Sequence, residues 1–477
     1  MRIKYGNGVA PIVGSEPAGV SNFPKRNAAD AFEFSAPLTL RGPAAGVRNY
    51  LVGLIAALAT AVVFFGGTET YSWAAVQILL LGTGVALVCE QLRRPATPWR
   101  VWIIPAALLA WIATQWLAPF EAVASFDRWA TSEMVVRLLV YGSAFAAARR
   151  VARDERSAQR LILALLVLGV FEAAYGLVQY FTGWQKILWH ERVYYRESAT
   201  GTYVNHNHFA GFLEMVIPFA VARALMALPR AGNHRAHGAT GKAAMFLFLA
   251  AVLVLAVVFS ESRMGLIACV GSLAVMAAVL RLRGRKFAAP HGSLSAGLIL
   301  LLLIASAALM FWMGPEPVFM RFAELPERQG PGAAGGRLEV WADTLRLIGE
   351  RPLSGVGLGA FEAAYTKVQT VDVSARVDFA HNDYLQVAAE LGVPAALLIW
   401  AMIFTLAARS MRACWLPASR ARHAITLGAT GALVALLLHS LTDFNLYIPA
   451  NRLLFSVVLG LGSSQGTADE LVEKPPN

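Results

Sequence analysis

An all-α integral membrane protein is the fold class that the sequence predicts, and three observations predict it. The chain has 477 residues, of which 57% are hydrophobic and only 15% are charged. Apolar runs of roughly 15–23 residues recur from Val47 to Leu461, and most can cross a hydrocarbon core about 30 Å thick. Arginine and lysine gather in alternate connections between these runs, as in multi-span proteins.

The apolar runs predict about 12 transmembrane helices. We place the spans near residues 48–66, 72–91, 101–118, 132–148, 159–181, 208–228, 243–260, 264–280, 294–313, 394–408, 424–440 and 452–464.

The distribution of charge predicts the orientation of the chain. The connections that carry most arginine and lysine are expected to be cytoplasmic, with both termini on that side of the membrane. The net charge of +11 therefore indicates topology and contact with membrane lipids, and predicts no nucleic-acid partner. The basic connections hold Arg93, Arg94 and Arg100, then Arg149, Arg150, Arg153, Arg156 and Arg160, then Arg281, Arg283, Arg285 and Lys286.

Five regions follow from these spans. Residues 1–45 are predicted to be a flexible cytoplasmic tail, 46–313 transmembrane helices 1–9, 314–393 a large periplasmic loop, 394–464 helices 10–12, and 465–477 a second cytoplasmic tail. A shorter outward segment, about 182–206, is also longer than the other connections between neighbouring helices. The three cysteines, Cys89, Cys269 and Cys414, have no spacing typical of a metal site or a disulfide framework.

The large loop is predicted to be partly helical. Leu338, Trp341, Leu345 and Ile348 recur at helical spacing, and a second short helix is expected over Asn382–Leu391. Both patterns are typical of amphipathic helices on a membrane surface. The glycines at 355, 357 and 359 resemble a phosphate loop, but no strand precedes them, so we predict a turn.

A histidine at the start of the second loop helix is a possible catalytic base. His381 would lie beside the free N–H groups of the helix N-terminus, where a neutral imidazole is favoured and anions are attracted. Asn382 follows it. The alternative is a polar N-cap cluster on a solvated loop.

Four arginines are predicted on the outward side, against the general trend of charge. Arg263 lies in a short connection between two spans, where an arginine needs a partner such as Glu261 or an anionic ligand. Arg337 opens the first loop helix. Arg192 and Arg196 lie in the shorter segment, where they would bind an anionic headgroup or extend to water beside acidic neighbours.

Polar residues also precede the sixth span. Asn205, His206, Asn207 and His208 can hydrogen-bond a sugar or phosphate, or they can cap the incoming helix. His206 and His208 are a weak metal pattern, since no carboxylate or cysteine stands at ligand spacing. For Asp443, between the last two spans, we favour a capping and turn role.

The order of these motifs resembles the O-antigen ligase/polymerase family over about residues 45–463. The motifs are Gly201-Thr-Tyr-Val-Asn-His-Asn-His-Phe-Ala-Gly211, Ser262-Arg263, Gly336-Arg337-Leu-Glu-Val-Trp341 and Ala380-His-Asn-Asp-Tyr-Leu385. The family pattern of His, Asn, nine residues and Gly matches His381, Asn382 and Gly392. Three residues later the family has Gly, Thr or Tyr, whereas this chain has Ala395.

The resemblance implies a glycosyltransferase whose donor is a glycan on undecaprenyl diphosphate and which needs no cofactor, metal or nucleotide. His381 would deprotonate the acceptor hydroxyl, and Arg263 and Arg337 would stabilise the leaving diphosphate. Arg192, Arg196, Asn382, Asn205, Asn207 and Tyr203 would bind diphosphate or glycan. Direct displacement predicts inversion at the anomeric carbon.

The motifs do not distinguish between three possible acceptors of the glycan. A ligase would pass the glycan to lipid A-core, a polymerase to a growing lipid-linked chain, and a protein O-oligosaccharyltransferase to a pilin-like protein. Of these we favour the ligase. A transporter or flippase is the alternative outside enzymes, and would be expected to have two related halves with charged, discontinuous helices at the membrane midplane.

Overall fold

The computed structural model describes residues 45–93, 103–228, 236–287, 334–370 and 376–464, which are mostly helical. The elements are α1 (Ala45–Val63), α2 (Thr70–Arg93), α3 (Ile103–Leu117), α4 (Arg128–Val151), α5 (Glu155–Thr182), β1 (Lys186–Ile187), β2 (His190–Glu191), α6 (His206–Ala227), α7 (Ala236–Phe259), α8 (Arg263–Phe287), α9 (Ala334–Glu350), α10 (Phe361–Tyr365), α11 (Asp383–Leu391), α12 (Val393–Ala413), α13 (Arg420–His439) and α14 (Pro449–Ser463).

The predicted membrane class is confirmed, whereas the number of spans is settled only in part. Eight of the described helices are long and apolar enough to cross a membrane, namely α1, α2, α5, α6, α7, α8, α12 and α13. Helices α3, α4 and α14 also coincide with predicted spans, but α3 and α14 are only 15 residues long and α4 carries several charges. The predicted ninth span at 294–313, most of the first tail and the second tail lie outside the described residues.

One detail of the fold differs from the all-α prediction. Within the shorter outward segment, β1 and β2 pair as a small antiparallel hairpin, with Lys186 opposite Glu191 and Ile187 opposite His190. The hairpin carries aromatic side chains, among them Trp189, which packs against the ring of Phe65 with centroids 5.9 Å apart. Two-residue strands have too little periodicity to be recognised in a sequence.

Helix α6 is deeply buried in the described bundle. Its spanning segment is 89% buried, and it packs mainly on α13, α7 and α8. Glycines of α13 allow the close approach to α6, because a Cβ at Gly428 would lie 2.4 Å from the Phe219 ring and a Cβ at Gly431 2.7 Å from Pro218. This central pair of helices carries several of the polar residues described below.

The described residues of 334–391 form a small unit with its own apolar core, built on Val340, Leu347 and Phe361. Both predicted loop helices are present, as α9 and α11. The glycine stretch forms the predicted turn: Gly355, Gly357 and Gly359 all have positive φ. A Cβ at Gly357 would lie 2.1 Å from the Ser125 Oγ, so only glycine fits there.

Side chains of α3 attach this unit to the bundle. The Gln115 Nε2 donates to the Ser354 carbonyl at 2.6 Å, and the Trp111 Nε1 donates to the Leu391 carbonyl at 3.0 Å. The Phe126 N–H donates to the Val356 carbonyl in the turn. These bonds hold the unit against the helix ends and so place α9 and α11 over the start of α6.

The two ends of the described bundle differ in chemistry. One end, the site end, comprises the segments 64–69, 118–127, 183–205, 260–262 and 440–448 together with the unit 334–391. The opposite end carries the arginines that the charge pattern assigned to the cytoplasm. Those described include Arg93, Arg149, Arg150, Arg153, Arg156, Arg160, Arg281, Arg283, Arg409, Arg412, Arg420 and Arg422.

Candidate functional site

The Asp443 carboxylate is the centre of a polar cluster at the site end. Oδ1 lies 3.7 Å from the His208 Nε2 and 3.7 Å from the His381 Nδ1, and Oδ2 lies 3.9 Å from the Arg337 Nη2. Asp443 is 1% exposed. We call Asp443, His208, His381 and Arg337 the Asp443 cluster. Its distances are those of ion pairs, too long for direct hydrogen bonds.

Four elements distant in sequence supply this cluster. Asp443 lies in the loop between α13 and α14, His208 in the first turn of α6, and Arg337 in the first turn of α9. His381 immediately precedes α11. The ring of Phe444 packs edge-on against both imidazoles, at 4.7 Å from His208 and 4.9 Å from His381. The cluster therefore exists only because the unit 334–391 folds onto the helix ends.

The local structure around His381 holds its side chain toward Asp443. Asn382 caps α11, since its Oδ1 accepts from the Tyr384 and Leu385 N–H groups, and its Nδ2 donates to the Leu441 carbonyl. His381 itself has φ 50°, a left-handed conformation that costs a non-glycine residue energy. The Trp341 Nε1 donates to the His381 carbonyl at 3.3 Å. With the Nδ1 facing Asp443, the Nε2 is the ring nitrogen left for a substrate.

The surroundings keep Asp443 negatively charged. Burial alone would raise the pKa of this carboxyl, but His208, His381 and Arg337 lower it well below its usual range. Within the described residues, three buried atoms of the cluster make no hydrogen bond: the His208 Nε2, the His381 Nδ1 and the Arg337 Nε. Buried polar atoms are rarely left so, and here they gather in one place. These three atoms can therefore form hydrogen bonds with a polar ligand.

A second acid, Asp383, lies beside the cluster in the first turn of α11. Its Oδ2 accepts from the Leu446 N–H at 3.2 Å, and its own N–H donates to the Ser440 carbonyl. Burial raises the pKa of Asp383 to about 7, and the charge of Asp443 also raises it. In the folded protein this carboxyl therefore stays protonated to a higher pH than an exposed aspartate does.

This raised pKa predicts a pH-dependent contribution to stability. In the unfolded chain the pKa is about 4, so the stabilising effect of protonation is complete below pH 4 and is lost as pH rises through about 7. We expect Asp383→Asn to melt at a higher temperature than the wild type at pH 8, with a smaller difference at pH 5. Thermal unfolding of detergent-solubilised protein across this range measures the effect. A difference that does not change with pH would contradict it.

The shorter outward segment brings Tyr195 and His206 to the edge of the cluster. The Tyr195 ring lies on the His206 imidazole with centroids 4.4 Å apart, and the His206 Nδ1 contacts the Ser260 carbonyl. Burial raises the pKa of Tyr195, the Asp443 carboxylate raises it further, and Arg337 opposes the change. Both charges of the cluster are thus within electrostatic reach of the Tyr195 hydroxyl.

Arg192 is buried rather than extended to water, which corrects the alternative of a solvated arginine. It is 1% exposed, and its Nη2 donates to the Tyr195 carbonyl at 2.7 Å. Its Nε and Nη1 have no hydrogen-bond partner among the described residues. Burial lowers the pKa of Arg192, and the nearby Arg196 lowers it too. A buried guanidinium with two unused donor atoms is suited to an anion.

The remaining predicted site residues lie at the same end. Arg263 begins α8, three residues after Ser260. Arg196 is exposed, and its Nε donates to the Arg192 carbonyl at 3.0 Å. Asn205 caps α6, because its Oδ1 accepts from the Asn207 N–H, so the capping alternative holds for Asn205. The order of the helices puts Arg263 at the same end of the bundle as His381.

Tyr203 has a supporting position instead of an accessible one. It is 1% exposed, and its hydroxyl lies 3.2 Å from the Asn451 Oδ1. The Asn451 Nδ2 in turn donates to the His208 carbonyl. The prediction that Tyr203 touches substrate therefore does not fit its burial, and its contacts instead support the first turn of α6.

An acid–base pair lies inside the bundle near the cluster. The His439 Nδ1 and the Glu214 Oε2 are 2.9 Å apart, and neither residue is exposed at all. Glu214 is on α6 and His439 ends α13, the two helices of the central pair. His439 interacts electrostatically with Asp443 and Arg337. Ionisable groups at such positions in a membrane bundle are costly, and usually have a function.

Strained backbone is concentrated at this end. Among the described residues, every non-glycine residue with positive φ lies in a loop of the site end: Phe65, Leu188, Tyr195, Glu261 and His381. Left-handed non-glycine residues cluster at functional sites, where surrounding contacts enforce them. Two of the five, Tyr195 and His381, touch or adjoin the Asp443 cluster.

Sequence reasoning missed three of these residues. Asp443 was assigned to a turn, and its Oδ1 does accept from the Phe444 N–H at 2.8 Å, but its carboxylate also faces two imidazoles and a guanidinium. Glu214 and His439 were hidden inside predicted spans. An ionisable residue within an apolar run was the available indication. Among the described residues, no three His, Cys, Asp or Glu side chains are arranged to hold a metal ion.

Apolar helices of spanning length and a buried, histidine-rich polar site at one end define the class of the molecule: a polytopic membrane protein with an enzyme-like site. Residues 247–400 are similar to the family whose model is described as O-antigen ligase, and this match covers about a third of the chain. This match and the apolar helices together support a bacterial membrane protein of the O-antigen ligase or polymerase type.

The matched residues contain Arg263, Arg337 and His381, but not Asp443 or His208. The structure therefore joins the matched part of the chain to parts outside it in one site. Among curated proteins, none matches the chain.

Proposed function

We propose that the chain is an O-antigen ligase-type glycosyltransferase that moves a glycan from undecaprenyl diphosphate to a hydroxyl of an acceptor such as lipid A-core. The observation that carries the proposal is the Asp443 cluster. It holds His381 and Arg337 from the matched segment on one carboxylate, next to the start of α6. A base for a hydroxyl and a cation for a diphosphate are the two groups that this transfer needs.

In the proposed reaction, the His381 Nε2 takes the proton of the acceptor hydroxyl while the oxygen attacks the anomeric carbon. The bond between that carbon and the diphosphate oxygen breaks, and the lipid diphosphate leaves with the electron pair. Arg337, Arg263 and Arg192 stabilise the negative charge on the leaving group. Direct displacement inverts the anomeric carbon. Asp443 orients the His381 ring through the Nδ1, and it stabilises the imidazolium that forms.

The charge pattern supports a periplasmic site. Positive residues favour the cytoplasmic side of membrane proteins. The arginine-rich end of the bundle would then be cytoplasmic, and the site end would face the periplasm, where a lipid-linked glycan is met. This orientation belongs to the proposal, as does the inner membrane.

Substitution of Arg337 tests the proposed role of the cluster in holding diphosphate. We expect Arg337→Gln to lower kcat/KM for the lipid-linked donor by about 10²-fold or more, the loss typical of one fixed charge that stabilises a transition state. Arg337→Lys is expected to recover only part of the lost kcat/KM, since lysine keeps the positive charge but lacks the planar guanidinium that can make two parallel hydrogen bonds to a phosphate. Transfer by purified protein in vesicles, followed by gel mobility of the glycan, measures both.

The matched control for Arg337 is Arg376→Gln. Arg376 lies in the same unit but is largely exposed, and pairs with Glu362 and Asp378 on the surface. Exposed pairs contribute little, so this variant should transfer at the wild-type rate. Equal rates for Arg337→Gln and Arg376→Gln would remove Arg337 from the reaction.

The acceptor is determined in the same assay. Lipid A-core, a lipid-linked repeat unit and a pilin-like peptide are offered separately, and transfer to the first supports the ligase. Transfer to the second makes the chain a polymerase, and to the third a protein O-oligosaccharyltransferase. Movement of the donor across the vesicle membrane without cleavage of a bond would overturn the enzyme proposal in favour of a transporter.

A further inference from the structure

The segment between β2 and α6 exposes several large side chains, but one of them differs from the rest. Val193 and Tyr194 are 67% and 65% exposed, whereas Tyr195 is 43% exposed because His206 covers one side of its ring. The remaining surface of Tyr195 is open. Tyr195 is thus a supported ring at the rim of the Asp443 cluster, not one more exposed side chain.

The position of Tyr195 is enforced from several directions. Its backbone is in the left-handed region, with φ 52°. Its carbonyl accepts two hydrogen bonds, from the Arg192 Nη2 at 2.7 Å and from the Ser198 N–H at 3.1 Å. His206, which supports the ring, contacts the Ser260 carbonyl at the start of the turn before α8. A bulky residue keeps such a backbone conformation only where its surroundings demand it.

The ring also lies next to the groups that would act on the donor. Arg192, which holds the Tyr195 carbonyl, is the buried guanidinium with two unused donor atoms. Asp443 and Arg337 interact electrostatically with the Tyr195 hydroxyl. In the proposed reaction the sugar attached to the diphosphate must lie between these arginines and His381. Tyr195 borders that position.

We infer that Tyr195 is a sugar-binding and specificity-determining residue, whose ring stacks on the apolar C–H face of the sugar next to the diphosphate. This inference rests on the proposed function. An aromatic ring with one side supported loses little conformational freedom on binding, and its hydroxyl can bond a sugar hydroxyl at the ring edge. Such stacking favours pyranose rings that present several axial C–H groups on one face.

Tyr195→Ala and Tyr195→Phe test the inference, with Tyr194→Ala as the matched control. We expect Tyr195→Ala to lower kcat/KM for the lipid-linked glycan by about tenfold or more, as the loss of an aromatic stacking contact does. Tyr195→Phe keeps the ring and should recover most of the transfer. Tyr194→Ala removes a more exposed neighbouring ring and should transfer like the wild type.

Binding of undecaprenyl diphosphate without a sugar separates sugar contact from a structural role. We expect the wild type and Tyr195→Ala to bind this probe equally, since the lost contact involves only the sugar. Weaker binding of the probe by Tyr195→Ala would show that the residue supports the arginines, and would overturn the inference. Equal rates of transfer by Tyr195→Ala and Tyr194→Ala would overturn the inference as well, and would indicate that both tyrosines only anchor the segment in lipid. A wild type that binds the probe but transfers no glycan would instead contradict the proposed function.

Discussion

His381→Ala is expected to lower the rate of glycan transfer by roughly 10²–10⁴-fold, the range that a positioned general base contributes. His381 is the imidazole whose Nδ1 faces Asp443 and whose Nε2 remains for a substrate hydroxyl. Binding of the donor should change little, because the arginines remain. Single-turnover transfer in vesicles measures the rate of the chemical step. The affinity for undecaprenyl diphosphate shows whether the arginines still bind the donor.

His190→Ala is the control for this substitution. His190 lies at the same end, in β2, where its exposed ring packs against Phe65 and Trp189. It has no contact with the Asp443 cluster among the described residues, so its loss should leave transfer unchanged. Wild-type transfer by His381→Ala would remove His381 from the chemistry, whatever the control shows.

Asp443→Asn extends the same prediction to the group that orients His381. Removing the negative charge leaves His208, His381 and Arg337 around a neutral amide, so the imidazole loses both orientation and stabilisation of its charged form. Residues that act as a unit are not additive. We therefore expect the double variant His381→Ala with Asp443→Asn to be no slower than His381→Ala alone. If the fold-losses in transfer rate of the two single variants multiply in the double variant, the two residues act independently.

His439→Leu is expected to destabilise the protein by about 3–5 kcal/mol, the usual cost of breaking a buried pair. The substitution leaves the Glu214 carboxyl in the interior of the bundle, where neither residue of the pair is exposed at all. The double variant Glu214→Leu with His439→Leu should recover most of the stability, since an apolar pair needs no compensation. Thermal unfolding in detergent compares the three proteins.

The comparison is decisive because the two hypotheses, a coupled pair and two independent residues, predict opposite orders of melting temperature for the single and double variants. If the pair is a coupled buried unit, the double variant melts above His439→Leu despite carrying one more substitution. If each residue makes only independent packing contacts, the double variant melts below it. The second order would contradict the pairing. Leucine is suited to both positions, because it also keeps the helices α6 and α13 apolar at their interface.

Local rules along the chain were sufficient for most of the architecture. Hydropathy located the eight described helices that are long and apolar enough to cross a membrane, because a bilayer core demands runs of apolar residues. Capping rules located α11, where Asn382 caps the helix and Gly392 ends it, since free N–H and C=O groups need partners wherever a helix stops. The glycine turn at 355–359 followed from the absence of a strand before it. Each of these inferences needed only neighbours in sequence.

The site needed contacts between distant parts of the chain. His381 and Arg337 were predicted individually, but the Asp443 carboxylate that joins them comes from a loop about sixty residues beyond His381. Tyr203 and Arg192 looked alike as polar residues of an outward segment, yet both are buried, one with its hydroxyl engaged and the other with donors unused. Burial and pairing depend on how helices pack, a property that no local pattern encodes. For this reason the spans, caps and turns could be read from residue order, whereas the charge around His381 and the buried Glu214–His439 pair emerge only when the helices come together.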